Sequence, residues 1–161
     1  MGAEQARDTL QQLLQLLVKE EGELLRLIEL AGRERNALVS SDYDALNTIS
    51  EEMLSVAGTL EAYEEQRAEL LRELDNPGAT LSDLEPLAAA AGVDGLAEAR
   101  ARMLAQAAEL QGAQEQNARL ILSATRLRER WFRLLAGMDS ATYTQTGQAQ
   151  QGGQRFVSRS A

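Results

Sequence analysis

An apolar seam that repeats every seven residues runs without a proline from residue 96 to residue 138. Its members are apolar apart from two amides: Leu96, Ala99, Met103, Gln106, Leu110, Ala113, Asn117, Leu120, Ala124, Leu127, Trp131, Leu134 and Met138. A helix with this repeat buries one stripe of its surface against neighbouring helices. At ~1.5 Å per residue the segment would form a helix about 64 Å long, so its partners must be long helices as well. The seam therefore predicts a helical bundle.

Two earlier segments carry the same repeat and can supply the partners. The first, residues 4–40, has a leucine seam that is interrupted by Glu20 and Glu34. The second, residues 42–74, has Arg67 as its single charged seam member. Only a few residues connect the two segments, and a short connection favours antiparallel neighbours.

A stop and a short helix separate the second long helix from the third. Asp75-Asn76-Pro77-Gly78 ends the second helix, because Pro lacks a backbone donor and Gly accepts left-handed geometry. An amphipathic segment then follows, with Thr80 or Ser82 as its N-cap, and we expect it to close one end of the bundle. The last residues are rich in Gln, Gly, Ser and Thr, which predicts a disordered tail. The sequence thus predicts an all-α fold, an antiparallel three-helix coiled-coil-like bundle with one short extra helix. The bundle domain covers residues 1–139, with helices over about 4–40, 42–74, 81–91 and 95–138. A flexible C-terminal tail covers residues 140–161.

The composition excludes several classes of function. The chain has no His and no Cys, so it lacks imidazole and thiolate metal ligands, Ser-His and Cys-His pairs and the Glu-x-x-His motif of di-metal bundles. We expect no catalytic, cofactor or metal site, because no carboxylate pair lies in an apolar setting that would tune one member. The net charge of −9 argues against nucleic acid as a partner. No apolar run approaches the ~18 residues of a membrane span and no secretory signal is evident, so we expect a cytoplasmic protein without membrane insertion.

The third long helix is longer than its two expected partners. The seams Leu10–Leu38, Leu46–Leu74 and Leu96–Ala124 are equal in length, and the third then continues for about four turns at ~3.6 residues per turn. The remainder contains Leu127, Trp131, Leu134, Leu135 and Met138. Uncovered apolar area of this kind usually marks a partner. The alternatives are that the 80–91 segment shifts the register or that the chain dimerises there.

Charge is unevenly distributed along the chain. Residues 41–75 carry ten acids against two Arg, whereas residues 111–161 carry three acids against seven Arg. Four of these Arg lie within the apolar remainder of the third helix: Arg126, Arg128, Arg130 and Arg133. They either complement the acids at the start of the second helix, such as Asp42 and Asp44, or form a binding patch.

The order of the helices and the sequence after the last one together resemble the FlgN family of flagellar type III export chaperones. Three stretches carry the resemblance: Glu65-Gln66-Arg67-Ala68-Glu69-Leu70-Leu71, Gln116-Asn117-Ala118-Arg119-Leu120-Ile121 and Tyr143-Thr144-Gln145-Thr146-Gly147-Gln148. The third looks like the tyrosine, three residues and Gly-Gln signature that follows the last helix in that family. Many bundles share the order of helices, so the signature in this position is the more specific feature.

The resemblance implies a cytoplasmic chaperone of the hook-associated proteins FlgK and FlgL, which form the hook-filament junction. It implies that the end of the last helix binds the C-terminal helical region of a client and prevents premature assembly. It also implies that Tyr143 docks on the cytoplasmic domain of the export-gate protein FlhA. The client-binding residues are, by the same mapping, Leu120, Ile121, Ala124, Leu127, Trp131, Leu134 and Leu135. The alternative is a structural coiled-coil adaptor that self-associates or scaffolds other proteins, whereas the chaperone is compatible with at most a weak homodimer.

Overall fold

The protein folds into helices throughout the part of the chain that the structure describes. The structure, a computed structural model, describes residues 2–157, with side chains through Ala136. In chain order the helices are α1 (Ala3–Ser40), α2 (Tyr43–Glu73), α3 (Leu81–Ala90) and α4 (Leu96–Val157). The described residues contain no strand. The predicted all-α class is therefore confirmed.

Helix α4 runs past residue 138, where the apolar seam ends, to Val157. No proline follows Pro86 in the sequence, so this part of the chain contains no proline that would break the helix. The flexibility predicted for residues 140–161 stays a prediction, because the side chains of these residues lie outside the described part.

The chain divides into two units, Met1–Leu120 and Ile121–Ala161. The first unit contains α1, α2, α3 and the first part of α4. It also contains both hydrophobic cores. The second unit begins within α4.

The connection between α1 and α2 is a single tight turn. Ser41 takes a left-handed conformation with φ 57° at the C-cap of α1, and the backbone N–H of Asp42 donates to the carbonyl of Ala37 over 2.9 Å. The Asp42 carboxylate then accepts a hydrogen bond of 3.0 Å from the N–H of Ala45 and so caps α2. This turn reverses the chain and makes α1 and α2 antiparallel neighbours, as the short connection predicts.

The end of α2 and the start of α3 are fixed by local hydrogen bonds. The left-handed residue after α2 is Asp75, with φ 56°, and not the expected Gly78; a short polar side chain tolerates this conformation. Helix α3 begins with a capping box, in which the Thr80 side chain accepts from the N–H of Asp83 and the Asp83 carboxylate accepts from the N–H of Thr80. Of the two predicted caps, Thr80 and Ser82, the structure has Thr80 as the N-cap.

The first unit has two separate hydrophobic cores. The four-helix core combines residues from all four helices and from the α3–α4 connection: Leu10, Leu13, Leu16, Leu17, Leu70, Leu71, Leu74, Leu84, Ala88, Val93, Leu96 and Ala99. The two-helix core, nearer the α1–α2 turn, consists of Leu30, Ala37, Ile49 and Val56 with partly buried neighbours from α1 and α2. Helix α3 buries Leu84 and Ala88 in the four-helix core, and its closing of one end of the bundle stays a prediction.

Candidate functional site

Charged residues that interrupt the seams of α1 and α2 meet each other. Nη1 of Arg67 donates to both carboxylate oxygens of Glu20, over 2.9 and 2.7 Å. The Glu20 side chain is almost fully buried. Its burial raises the pKa of Glu20, and the nearby Arg67 acts in the opposite direction. Glu20 is buried and Arg67 is half-buried between α1 and α2, which suits a structural contact between two helices.

The amides in the seam of α4 also find partners on α1. Nδ2 of the buried Asn117 donates to the Ala31 carbonyl over 2.9 Å and to Oε2 of Glu34 over 2.7 Å. Nε2 of Gln106 donates to Oε1 of Glu21 over 3.2 Å. Each pair can form in only one alignment of the helices. These polar residues therefore set the register of α4 on α1.

Two adjoining depressions in the first unit have apolar linings, and one of them has an acidic edge. They have volumes of about 360 and 320 Å³ and share Leu24 and Met103. Their apolar lining, contributed by all four helices, is Leu24, Leu27, Ala57, Leu60, Leu81, Met103, Leu104 and Ala107. The acidic edge, which we call the lip, carries Glu61 and Glu64 on the α2 side. We call the two depressions together the acidic groove.

The second unit exposes an unusual density of large apolar side chains. Seven of the thirteen large hydrophobic residues that are exposed in the described part of the chain lie between residues 121 and 136: Ile121, Leu122, Leu127, Trp131, Phe132, Leu134 and Leu135. Trp131 exposes 57% of its surface and Phe132 exposes 69%. Single exposed leucines are ordinary, but seven large apolar side chains exposed within residues 121–136 make this segment a candidate interaction surface. We call residues 121–136 the exposed segment.

The predicted client-binding residues are found mostly on this segment. Leu120 is half-buried and ends the first unit, while Ala124 and the remaining members are exposed. Leu127, Trp131, Leu134 and Leu135 lie on one side of the helix, within about 100° of arc at ~3.6 residues per turn. We call these four residues the apolar stripe. Tyr143 has its side chain outside the described residues, so its docking role stays a prediction.

Two exposed residues were missed by the sequence analysis. Leu122 and Phe132 lie off the heptad seam, on the side of the helix away from the apolar stripe. A search for a single seam passes over them. A count of apolar residues on every face of the segment would have found both.

The four arginines of the exposed segment differ in their angular position around the helix relative to the apolar stripe. Arg128 and Arg130 flank the stripe, at about 80° to either side of its centre at ~3.6 residues per turn. Arg126 and Arg133 lie more than about 120° from that centre by the same geometry. All four are exposed. The stripe is therefore an apolar strip between two cations.

Neither a metal centre nor a membrane-spanning helix is found among the residues that the structure describes. Within residues 2–136, no group of three carboxylates gathers in a way that could hold a metal ion. None of the helices, over the residues that the structure describes, has the length and apolar character needed to cross a membrane.

Comparison with known proteins identifies a family for this chain. A family model described as FlgN protein matches residues 1–151. No curated protein and no solved structure matches the chain.

Proposed function

Because the chain belongs to the FlgN family of flagellar export chaperones, we propose that it binds the hook-associated proteins FlgK and FlgL in the cytoplasm and delivers them to the export gate. The exposed segment binds the C-terminal helical region of the client. Tyr143 then docks the loaded chaperone on the cytoplasmic domain of FlhA.

The observation that carries this proposal is the exposure of the apolar stripe. Leu127, Trp131, Leu134 and Leu135 each expose more than half of their surface. Their spacing matches the anchors of helix-in-groove recognition, in which apolar residues of two helices interdigitate. Trp131 is the expected central anchor, because a buried tryptophan contributes a large contact area with little loss of conformational entropy.

Binding of this kind explains how a chaperone prevents premature assembly. A client helix that will later pack against other subunits must have an apolar face. The stripe covers that face with leucines and a tryptophan, while Arg128 and Arg130 can meet acidic residues at its edges. The client then cannot polymerise until the chaperone releases it.

The client-binding step can be tested by calorimetry with purified FlgK and FlgL C-terminal fragments. The triple variant Leu127→Gln, Trp131→Gln and Leu134→Gln should weaken binding at least about a hundredfold, because three anchors are removed. Its helix content should stay unchanged by circular dichroism, since all three side chains are already exposed. Absence of binding by the unaltered protein to either client would overturn the proposal.

The first unit offers a matched control for this variant. Leu25, Val39 and Leu54 expose between 52% and 73% of their surface, so changing them to Gln removes a similar amount of exposed apolar area. Client affinity should stay within about twofold, because scattered exposed residues contribute little. An equal loss of affinity in both variants would place the client elsewhere.

Docking at the gate needs a separate experiment. Tyr143→Ala should abolish binding to the FlhA cytoplasmic domain and leave client affinity unchanged. Tyr43→Ala is the control, because Tyr43 is an exposed tyrosine at the first position of α2. A change of client affinity in Tyr143→Ala would contradict the proposed division of labour.

The exposed stripe is also compatible with a structural coiled-coil adaptor. In that case the stripe of one copy would pack on the stripe of another in a constitutive oligomer. Light scattering separates the two functions, because a chaperone is a monomer or a weak dimer that clients dissociate. An oligomer that persists with excess client would favour the adaptor.

A further inference from the structure

We propose that the exposed segment of one copy of this protein docks in the acidic groove of a second copy. This pairing joins two different surfaces of the chain, unlike the stripe-to-stripe contact of a coiled-coil adaptor. It involves only the protein itself, so it can be tested without any client.

The groove has an apolar floor between helices that do not close over it. Leu24 and Leu27 of α1 are half-buried, and Leu60 of α2 and Met103 of α4 are half-buried beside them. Leu104 exposes 57% of its surface at the edge. An added amphipathic helix would cover these side chains as a further member of the bundle, with the flexible Met103 adapting to its shape.

The charges of the lip favour a basic occupant. Glu20 and Arg67 also line the groove, but they pair with each other, so their charges cancel locally. Arg100 pairs with Glu85 over 3.5 Å. Glu61 and Glu64 are exposed and form no salt bridge with any residue in the described range 2–136. The lip is therefore negative on its α2 side.

Helix α2 as a whole strengthens this field. Residues 43–73 contain eight acids and two Arg, a net charge of −6, whereas residues 121–136 contain four Arg and one Glu, a net charge of +3. Opposite charges across an interface accelerate association and fix its orientation. The exposed segment carries both the apolar stripe that the floor accepts and the flanking cations, Arg128 and Arg130, that the lip attracts.

If two copies exchange segments reciprocally, the contact closes into a two-fold dimer; if each copy docks only forward, it forms open chains. Either arrangement hides the apolar stripe, so bound clients would compete with self-pairing. The unloaded chaperone would then be protected from nonspecific association.

The test uses the full chain, analytical ultracentrifugation and two charge-reversed variants. Glu61→Arg with Glu64→Arg should weaken self-association at least about tenfold, and Arg128→Glu with Arg130→Glu should do the same, because each places like charges across the interface. An equimolar mixture of the two variants should recover self-association, because the reversed charges attract again. Recovery is the decisive result, since neither variant alone can produce it.

Two controls change the same number of charges at other places. Arg126→Glu with Arg133→Glu alters the segment away from the stripe, and Glu65→Arg with Glu69→Arg alters α2. Neither Glu65 nor Glu69 lines the groove. Both controls should associate within about threefold of the unaltered protein. A control that weakens association as much as its test variant would reduce the effect to net charge and overturn the proposal.

Covalent trapping identifies the occupant. The chain has no native Cys, so Glu61→Cys on one tagged copy and Arg128→Cys on a differently tagged copy introduce unique thiols. Oxidation of the mixture should give a disulfide between copies. Three results would each overturn the proposal. The unaltered protein could be a monomer at every concentration, or both charge-reversed variants could associate as it does. A chain that carries both Cys substitutions could also form the disulfide only within itself.

Discussion

The two hydrophobic cores of the first unit differ in the number of helices that build them. The four-helix core is enclosed by α1, α2, α3 and the start of α4, whereas α1 and α2 alone supply the buried side chains of the two-helix core. Beside the two-helix core, α4 contributes the buried amide of Asn117 rather than an apolar residue. Packing from several sides excludes water more completely and leaves less room for relaxation. The two cores should therefore differ in stability, although the same leucine repeat produces both.

The border between the cores is polar. Glu20 follows the last four-helix-core residue of α1 and pairs with Arg67 of α2. A buried ion pair adds little net stability, and in some proteins it discriminates against other alignments of the helices; we expect Glu20 and Arg67 to do so here. On this hypothesis the leucines supply the free energy of folding, and the polar pairs select the register.

The largest expected effect comes from matched cavities in the two cores. Leu13 and Leu30 expose 0% and 2% of their surface. Leu13→Ala should lower the free energy of unfolding by about 4 kcal/mol, and Leu30→Ala by about 2.5 kcal/mol, because the two-helix core can collapse around the cavity. Urea denaturation of both variants measures the difference. Equal losses would show that the two cores are packed alike.

Breaking the border pair should have the next largest effect. Glu20→Ala leaves the half-buried Arg67 without its partner and should cost about 3 kcal/mol at neutral pH. Replacing both, as Glu20→Leu with Arg67→Met, should stay within about 1 kcal/mol of the unaltered protein. Thermal denaturation of the single and double variants checks both values. A double variant as unstable as the single one would mean that the pair contributes to stability and not mainly to register.

The amide of α4 tests whether polar contacts hold the helix beside the two-helix core. Asn117→Ala removes the donor to Ala31 and Glu34 and should cost about 1–2 kcal/mol. Gln116→Ala removes an exposed hydrogen bond to Arg35 and should cost less than about 0.5 kcal/mol. Hydrogen exchange should show faster opening of α4 in the first variant only. Similar behaviour of both variants would contradict a special role for the buried amide.

The smallest expected effect is a pH dependence of opposite sign at two neighbouring carboxylates. Burial raises the pKa of Glu20 above its ordinary value of 4.5, so the folded protein holds this proton more tightly than the unfolded chain. The contribution of Glu20 to stability is therefore fully present below its ordinary pKa of 4.5. It is lost as the pH rises through the raised pKa of the folded state. Glu20→Gln should lack that decline in denaturation curves taken between pH 4 and pH 7.

Glu21 provides the contrast. Its hydrogen bond from Arg102 lowers its pKa below 4.5, so its contribution is present above 4.5 and is lost as the pH falls through the lowered value. Glu21→Gln should reduce the loss of stability in acid. The same sign of pH dependence at both residues would contradict the assigned causes.

Much of the fold could be predicted because its signals are local. The heptad seams predict the long helices, Thr80 or Ser82 predicts the start of α3, and Asp75-Asn76-Pro77-Gly78 predicts the end of α2. Each signal acts through hydrogen bonds and side-chain spacing within a few residues. The apolar stripe was predicted for the same reason, since Leu127, Trp131 and Leu134 continue one seam and Leu135 lies beside it.

The pairing of the interruptions could not be read from the chain. Glu20, Glu34, Arg67 and Asn117 each look like a defect in an apolar seam when considered alone. Only the packed helices show that Glu20 meets Arg67 and that Asn117 meets Glu34. The acidic groove was missed for a similar reason, because its lining comes from four separate helices.

The sequence by itself determined that this protein is a set of long helices with a leucine face and an arginine-flanked, apolar final segment. Helix periodicity repeats every few residues and needs no knowledge of distant parts of the chain. The tertiary structure decided which polar residues meet, where the cores divide and where a groove stays open. Those features depend on how each helix is shifted and rotated against its neighbours, and a small shift changes every contact along the interface.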